Sequence, residues 1–214
     1  MTTSIGKILL PEVTLCAFGS TNIEGMKKSL EYSSRGIEFG AVKLIEHPCN
    51  GIDEWNKNIV FELGKYIETE YVLLIHPDGY VVHPECWDNK WLEYDYIGSP
   101  WPFPQDYYSY RDIRGVIQRV GNSVSLRSKK LLDLPRKLNM EWKSYHGFTN
   151  EDGYICVNMR HIFEEHGCKF APLEEAVNFG RENDIMENMN VDKTFIFHQH
   201  WSSRNHKYEV FEKQ

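Results

Sequence analysis

A chain of 214 residues can bury one substantial core, and 41% apolar and 14% aromatic residues against 26% charged exclude wholesale disorder. The formal net charge of −7 argues against a general nucleic-acid binder, which needs Lys and Arg to hold the phosphate backbone. The five cysteines, Cys16, Cys49, Cys86, Cys156 and Cys168, are widely spaced with no CxxC pair and read as reduced thiols, and no leader peptide or apolar run of about 18 residues points to secretion or a membrane span. The expectation is one cytoplasmic domain over residues 1–214, free-standing or part of a longer polypeptide.

"VTLCAF" (13–18) is rich in strand formers, and "GSTN" follows as a turn with Ser20 or Thr21 as the expected N-cap of a helix reaching about Ser34. "AVKLIEH" (41–47) reads as a second strand, residues 53–67 as an amphipathic helix, and "EYVLLI" (70–75) as a third strand. Strand and helix in alternation predict parallel strands joined by helical crossovers, with ligands outside the strands' carboxyl ends. Residues 91–112, crowded with aromatics and prolines, suit an irregular wall. Residues 119–134 read as a turn, a short strand and a helix, and residues 150–167 as a helix stopped by Gly167. "KFAPLEEAVNFGRE" predicts a short strand and a polar segment, and "TFIFHQHW" (194–201) a last strand ending in histidines.

Several residues invite chemistry, each beside a plainer role. Asp78 follows the third strand, next to Gly79, whose bare backbone lets a ligand or metal come close. A carboxylate with a downstream imidazole suits Mn²⁺ or Mg²⁺ completed by substrate phosphates, yet Asp after Pro77 is equally a turn former. His198 and His200 alternate along a strand and share a face, which permits ligation or simple structural hydrogen bonding. Glu151 and Asp152 open a helix, where they complement its dipole with Asn150 as a cap, or one serves as a general base. "VGNSVSLRS" can hold sugar hydroxyls or a phosphate, or be a polar strand. Cys16 sits in an apolar strand and reads as buried rather than nucleophilic.

Taken together, "LLIHPDGYV", "WLEYDYIGSPW", "VGNSVSLRS", "NEDGYIC", "APLEEAVNFGRE" and "FIFHQHW" resemble a family of GT-A-type glycosyltransferase-like proteins, known mostly from uncharacterised bacterial and viral sequences. The resemblance spans roughly residues 70–201. It implies an α/β, Rossmann-related fold with a mixed, mainly parallel central sheet flanked by helices, a nucleotide-binding half over about 1–80 and an acceptor half over about 81–214. It implies hexosyl or deoxyhexosyl transfer from a UDP-sugar to a glycan or protein-linked glycan, in the cytoplasm of the cell or, for a viral protein, of its host.

By the same resemblance, Asp78 takes the place of the family's DxD motif, here with one carboxylate where the usual pattern has two, and His198 completes the metal site. The nucleotide-sugar would meet Ala17, Phe18, Gly19, Ser20, Asp78, Gly79, Tyr80, Asn122, Ser123, Arg127 and His198. Asp152, with Glu151 beside it, would be the base of an inverting enzyme, and Trp91, Tyr96, Trp101, His200 and Trp201 an aromatic wall for sugar or acceptor. A carbohydrate- or nucleotide-binding domain without turnover is the alternative, favoured by the incomplete acidic motif. A nucleotidyltransferase or sugar-nucleotide hydrolase fits less well, since no Gly-rich loop or paired-metal carboxylate cluster is present.

Overall fold

The first strand outruns its apolar stretch: β1 spans Ile8–Gly19, and its inner half is buried on both faces. In the computed structural model, which describes residues 7–143, 150–199 and 208–211, Val13, Leu15 and Ala17 face one hydrophobic cluster while Cys16 and Phe18 face another. That pattern is what a strand covered by helices on both sides requires. The first cover is α1 (Ile23–Ser33), which buries Met26 and Leu30; the second is α2 (Ile52–Phe61), continued by a 3-10 turn at Leu63–Tyr66 that adds Leu63 to the Ile59 face.

Strands β2 (Ile37–Glu46) and β3 (Tyr71–Leu74) pair with β1 in parallel, one on each side. The chain then turns through β4 (Gly79–Val81) and returns to the sheet as β5 (Tyr96–Pro100) and β6 (Val120–Ser128). Both of the remaining pairings are antiparallel, β3 with β6 and β6 with β5, giving the order β2-β1-β3-β6-β5. The sheet is therefore mixed, as expected, but not mainly parallel: it is parallel in its first three strands and antiparallel beyond. No α-helix lies between β3 and β5 or between β5 and β6, so these strands lack the helical crossover that a parallel neighbour needs, and α3 (Lys129–Lys137) comes only after β6, capped by the Ser128 hydroxyl, which accepts from the Leu131 N–H at 3.0 Å.

Other boundaries also differ from expectation. Asn22, not Ser20 or Thr21, caps α1, accepting from the Gly25 N–H at 3.2 Å with φ 50°. Residues 96–100 form a strand rather than an irregular wall, because Gly98 and Gly121 let β5 and β6 approach so closely that a Cβ at Gly98 would lie 1.8 Å from the Gly121 carbonyl. The helix read over 150–167 is broken into α4 (Glu151–Gly153), a π-helical turn (Tyr154–Asn158) and α5 (Arg160–Glu165). The polar segment after Pro172 is α6 (Leu173–Phe179), whose Ala176, Val177 and Phe179 are buried.

A second, three-stranded sheet joins β4, β8 (Ile196–His198) and β7 (Gly180–Arg181), in the order β4-β8-β7. It places the end of β8 beside the turn after β3. Among the described residues no helix is long and apolar enough to cross a membrane.

Candidate functional site

The turn after β3 is a tight one. His76 and Gly79 exchange two backbone hydrogen bonds, 2.7 and 3.2 Å, with Pro77 and Asp78 between them. Asp78 is thus a turn residue, and its carboxylate also lines a cleft of about 530 Å³, within the size range of small-molecule sites. The turn role read from the sequence is filled, and the same residue borders the cleft.

Parallel topology builds that cleft. Phe18, Gly19 and Ser20 at the carboxyl end of β1 form its floor, and the amino ends of α1 and α2 its walls, with Asn22 and Met26 on one side and Gly51 and Trp55 on the other. Trp55 is held by its indole Nε1–H, which donates to the Phe18 carbonyl at 2.8 Å, and its ring lies 5.2 Å from that of His76. Ser123 from β6 and His198 from β8 complete the lining, so both halves of the chain contribute.

His198 is the electrostatic centre. Its Nε2 stands 3.7 Å from Asp78 Oδ1 and its Nδ1 3.3 Å from Glu182 Oε1, an ion-pair approach without hydrogen-bond alignment. Burial alone would lower the imidazole's pKa, but the two carboxylates outweigh it and push it up to about 10. Burial alone would raise Asp78, yet His198, followed by His76, holds it at about 2. His76, under burial and the neighbouring His198 charge, is pushed down to about 3, and its Nε2 is buried without a hydrogen-bond partner. Gly79 makes this packing possible, because a Cβ there would lie 2.5 Å from Val124 and 2.6 Å from the His198 ring.

Asp78 and His198 bring an oxygen and an imidazole nitrogen to 3.7 Å with Glu182 behind the ring; paired with two carboxylates the imidazole is a cation near neutrality, so these side chains would hold a hard divalent cation only with the His198 proton released on binding. Among the described residues no group of three or more His, Cys, Asp and Glu side chains is arranged to hold a metal by itself.

A second polar cluster lies on β6 and α4. Arg127 is fully buried, donating from Nε to Ser125 Oγ at 2.8 Å and from Nη2 to Glu151 Oε1 at 2.8 Å. Asp152 accepts from the Asn122 N–H at 3.2 Å and the Gly153 N–H at 2.7 Å. Burial, then the Glu151 and Glu182 carboxylates, raise its pKa to about 7. Asn150 makes no side-chain cap, so the expected capping role is not filled.

The sequence-predicted residues divide accordingly. Phe18, Gly19, Ser20, Asp78, Ser123 and His198 come together in the cleft. Ala17, Tyr80, Asn122 and Arg127 do not line it: Ala17 sits in the core, the Tyr80 hydroxyl donates to the Glu209 carbonyl at 2.6 Å, Asn122 shapes β6, and Arg127 neutralises Glu151. Glu151 is spent in that ion pair, so its expected place as an alternative base is corrected to a structural one. Cys16 is buried, and burial pushes its thiol up to about 12.

The aromatic wall is also corrected. Trp91, Tyr96 and Trp101 are 1%, 0% and 6% exposed, facing the core rather than a ligand. Trp101 lies over Gly121 and stacks on Tyr110 at 4.8 Å, while Trp91 packs edge-on against Phe179. His200 and Trp201 lie outside the described residues.

Trp55, His76, Asn22 and Glu182 were missed in the sequence. His76 directly precedes Pro77-Asp78, which was its one available signal; the others reach the cleft or its histidine only through the fold. A last contribution comes from residues 208–211. The Phe211 N–H donates to the Pro77 carbonyl at 2.9 Å and its carbonyl accepts from Asn22 Nδ2 at 2.8 Å, tying the Asp78 turn to the start of α1.

The family described as "Protein of unknown function (DUF5672)" matches residues 61–198, well over half of the chain, a span that includes Asp78, Ser123, Asp152, Glu182 and His198. No curated protein and no solved structure matches the chain.

Proposed function

The chain belongs to the DUF5672 family, and from that premise we propose that it is a metal-dependent glycosyltransferase of GT-A type that moves a sugar from a UDP-sugar to a glycan acceptor in the cytoplasm. The observation that carries this reading is the meeting of Asp78 and His198 at 3.7 Å in a cleft formed by the carboxyl end of β1 and the amino ends of α1 and α2. A diphosphate is favoured at such helix ends, where backbone N–H groups point outward.

Asp78 and His198 would hold Mn²⁺ or Mg²⁺, which when bound offsets the negative charge on the leaving diphosphate. Phe18, Gly19 and Ser20 would meet the base and ribose, with Trp55 as a flat apolar wall. Asp152, outside the cleft lining but held by the Asn122 N–H next to cleft-lining Ser123, would take the proton from the acceptor hydroxyl as that oxygen attacks the anomeric carbon opposite the leaving nucleotide. Its pKa of about 7 suits a base working near neutrality.

The test is thermal melting with UDP and Mn²⁺ together and separately. Together they should raise the melting temperature, and Asp78→Ala should abolish the gain while leaving the unliganded fold intact. No shift in the wild-type protein overturns the metal-bridged site.

A second reading, a binding domain without turnover, is favoured by the single carboxylate in the cleft-lining turn. Incubation with a panel of UDP-sugars, with and without glycan acceptors, separates the two: UDP release marks an enzyme, and binding without release marks the domain.

A further inference from the structure

Between Gly98 and Pro100 the β5–β6 ladder changes register: Gly98 pairs with Ser125 and Pro100 with Val120, so Ser99 alone stands opposite residues 121–124 of β6. Such bulges bend a strand and re-aim its groups, often beside active sites. Here the extra residues serve different neighbours. Ser123 lines the cleft, Val124 packs where a Cβ on Gly79 would stand, and Asn122 meets Asp152 of α4.

Asn122 is the costly member of the bulge. Its φ of 95° lies in a region that residues other than glycine rarely adopt, inside a strand and at 1% exposure. Its side-chain Nδ2 is buried without a hydrogen-bond partner. The other polar groups of the residue are all used. Oδ1 accepts from the Val124 N–H at 2.8 Å, the carbonyl accepts from the buried Tyr96 hydroxyl, and the N–H donates to Asp152 Oδ2 at 3.2 Å. The Gly153 N–H serves the other Asp152 oxygen at 2.7 Å but belongs to the same short helix, so the Asn122 N–H is the bond that ties this carboxylate to the sheet.

We propose that Asn122 is a positioning residue: its left-handed backbone, held by the bulge, points the N–H at Asp152 and sets that carboxylate next to the donor cleft. The consequence for transfer rests on the reading of Asp152 as the base, whereas the hydrogen bond itself does not. Glycine would adopt the same φ without strain, so what asparagine adds is the Oδ1 bond that keeps the bulge in one shape.

Backbone ¹H–¹⁵N spectra in mildly alkaline buffer, where Asp152 is ionised, test the bond. The amide proton of residue 122 should lie downfield in the wild-type protein and move upfield in Asp152→Ala, which removes its acceptor; an amide that does not respond overturns the proposal. That comparison needs no change at Asn122 itself. Asn122→Ala, which resists the backbone, should take the upfield position, and Asn122→Gly should keep the downfield one. With a UDP-sugar that the wild type turns over, Asn122→Ala should lower kcat by about 10- to 100-fold while donor KM stays within about twofold, and Asn122→Gly should recover most of the loss. A fall in kcat that is equal in the two variants, or that only follows their melting temperatures, assigns Asn122 to stability alone and overturns the proposal. If the wild type turns over no UDP-sugar, the reading of Asp152 as a base fails, and the amide spectra still decide whether Asn122 holds Asp152.

Discussion

Arg127 and Glu151 close an ion pair of 2.8 Å between β6 and α4, with side chains 0% and 2% exposed. At that depth the pair matters chiefly through what its disruption leaves behind. Removing the carboxylate strands a buried guanidinium whose Nη1 already lacks a partner. Glu151→Ala should cost about 3–5 kcal/mol in denaturant unfolding, and replacing both residues by apolar ones of similar size should cost far less. Equal losses in the single and double variants would contradict a structural role for the pair.

Asp152 should make a distinctive contribution to pH dependence. Its folded pKa is raised from 3.8 to about 7, so the folded protein retains this proton where the unfolded chain has released it. Stability from this group is therefore full below about pH 4 and is lost as pH rises through 7. Asp152→Asn should be more stable than wild type near pH 7.5, by on the order of 2 kcal/mol, and no more stable near pH 3.5. Melting curves across pH measure the difference, and a gain that persists in acid would assign the effect elsewhere. The same variant should lose transfer activity if Asp152 is the base.

Gly79→Ala tests the packing beneath the histidine. A methyl group there meets Val124 and the His198 ring at 2.5 and 2.6 Å, so one of them must move. The expected cost is about 1–3 kcal/mol, with loss of any UDP and Mn²⁺ stabilisation because His198 is displaced from Asp78. A substitution that lowers stability but leaves the ligand shift untouched would separate packing from binding.

Asn22 combines a helix cap, a left-handed backbone and the tether to Phe211. Asn22→Ala should cost about 1–2 kcal/mol, since alanine lacks the cap and resists φ 50°. Asn22→Gly tolerates that backbone and should cost less in stability, yet it removes the same tether. Both variants should weaken nucleotide binding alike if the tether holds the Asp78 turn against α1; weakening that tracks stability alone would rule the tether out.

Much of the first half of the fold was legible because it rests on local patterns. Apolar runs and amphipathic spacing located β1, β2, β3, α1 and α2, although β1 begins at Ile8 and β2 at Ile37, five and four residues before the stretches that read as strands. The second half was less so. Strand β5 hid in an aromatic, proline-rich stretch because Gly98 and Gly121 permit a pairing that only their partners reveal. Helix α6 was missed because its buried face, Ala176, Val177 and Phe179, is short and flanked by charge.

By itself the sequence determined an acidic residue beyond the end of a buried strand and a histidine in a final apolar strand, since strand ends and turn formers are properties of neighbouring residues. Only the tertiary structure decided that Asp78 meets His198, that Glu182 stands behind the imidazole, and that Arg127 and Glu151 neutralise each other away from the cleft. The physical reason is that charge and hydrogen bonding at a site depend on distances and burial, which come from pairing strands far apart in the chain. The aromatic residues mark the same divide: their abundance was plain in the sequence, but facing the core depended on tertiary neighbours, Gly121 for Trp101 and Phe179 for Trp91.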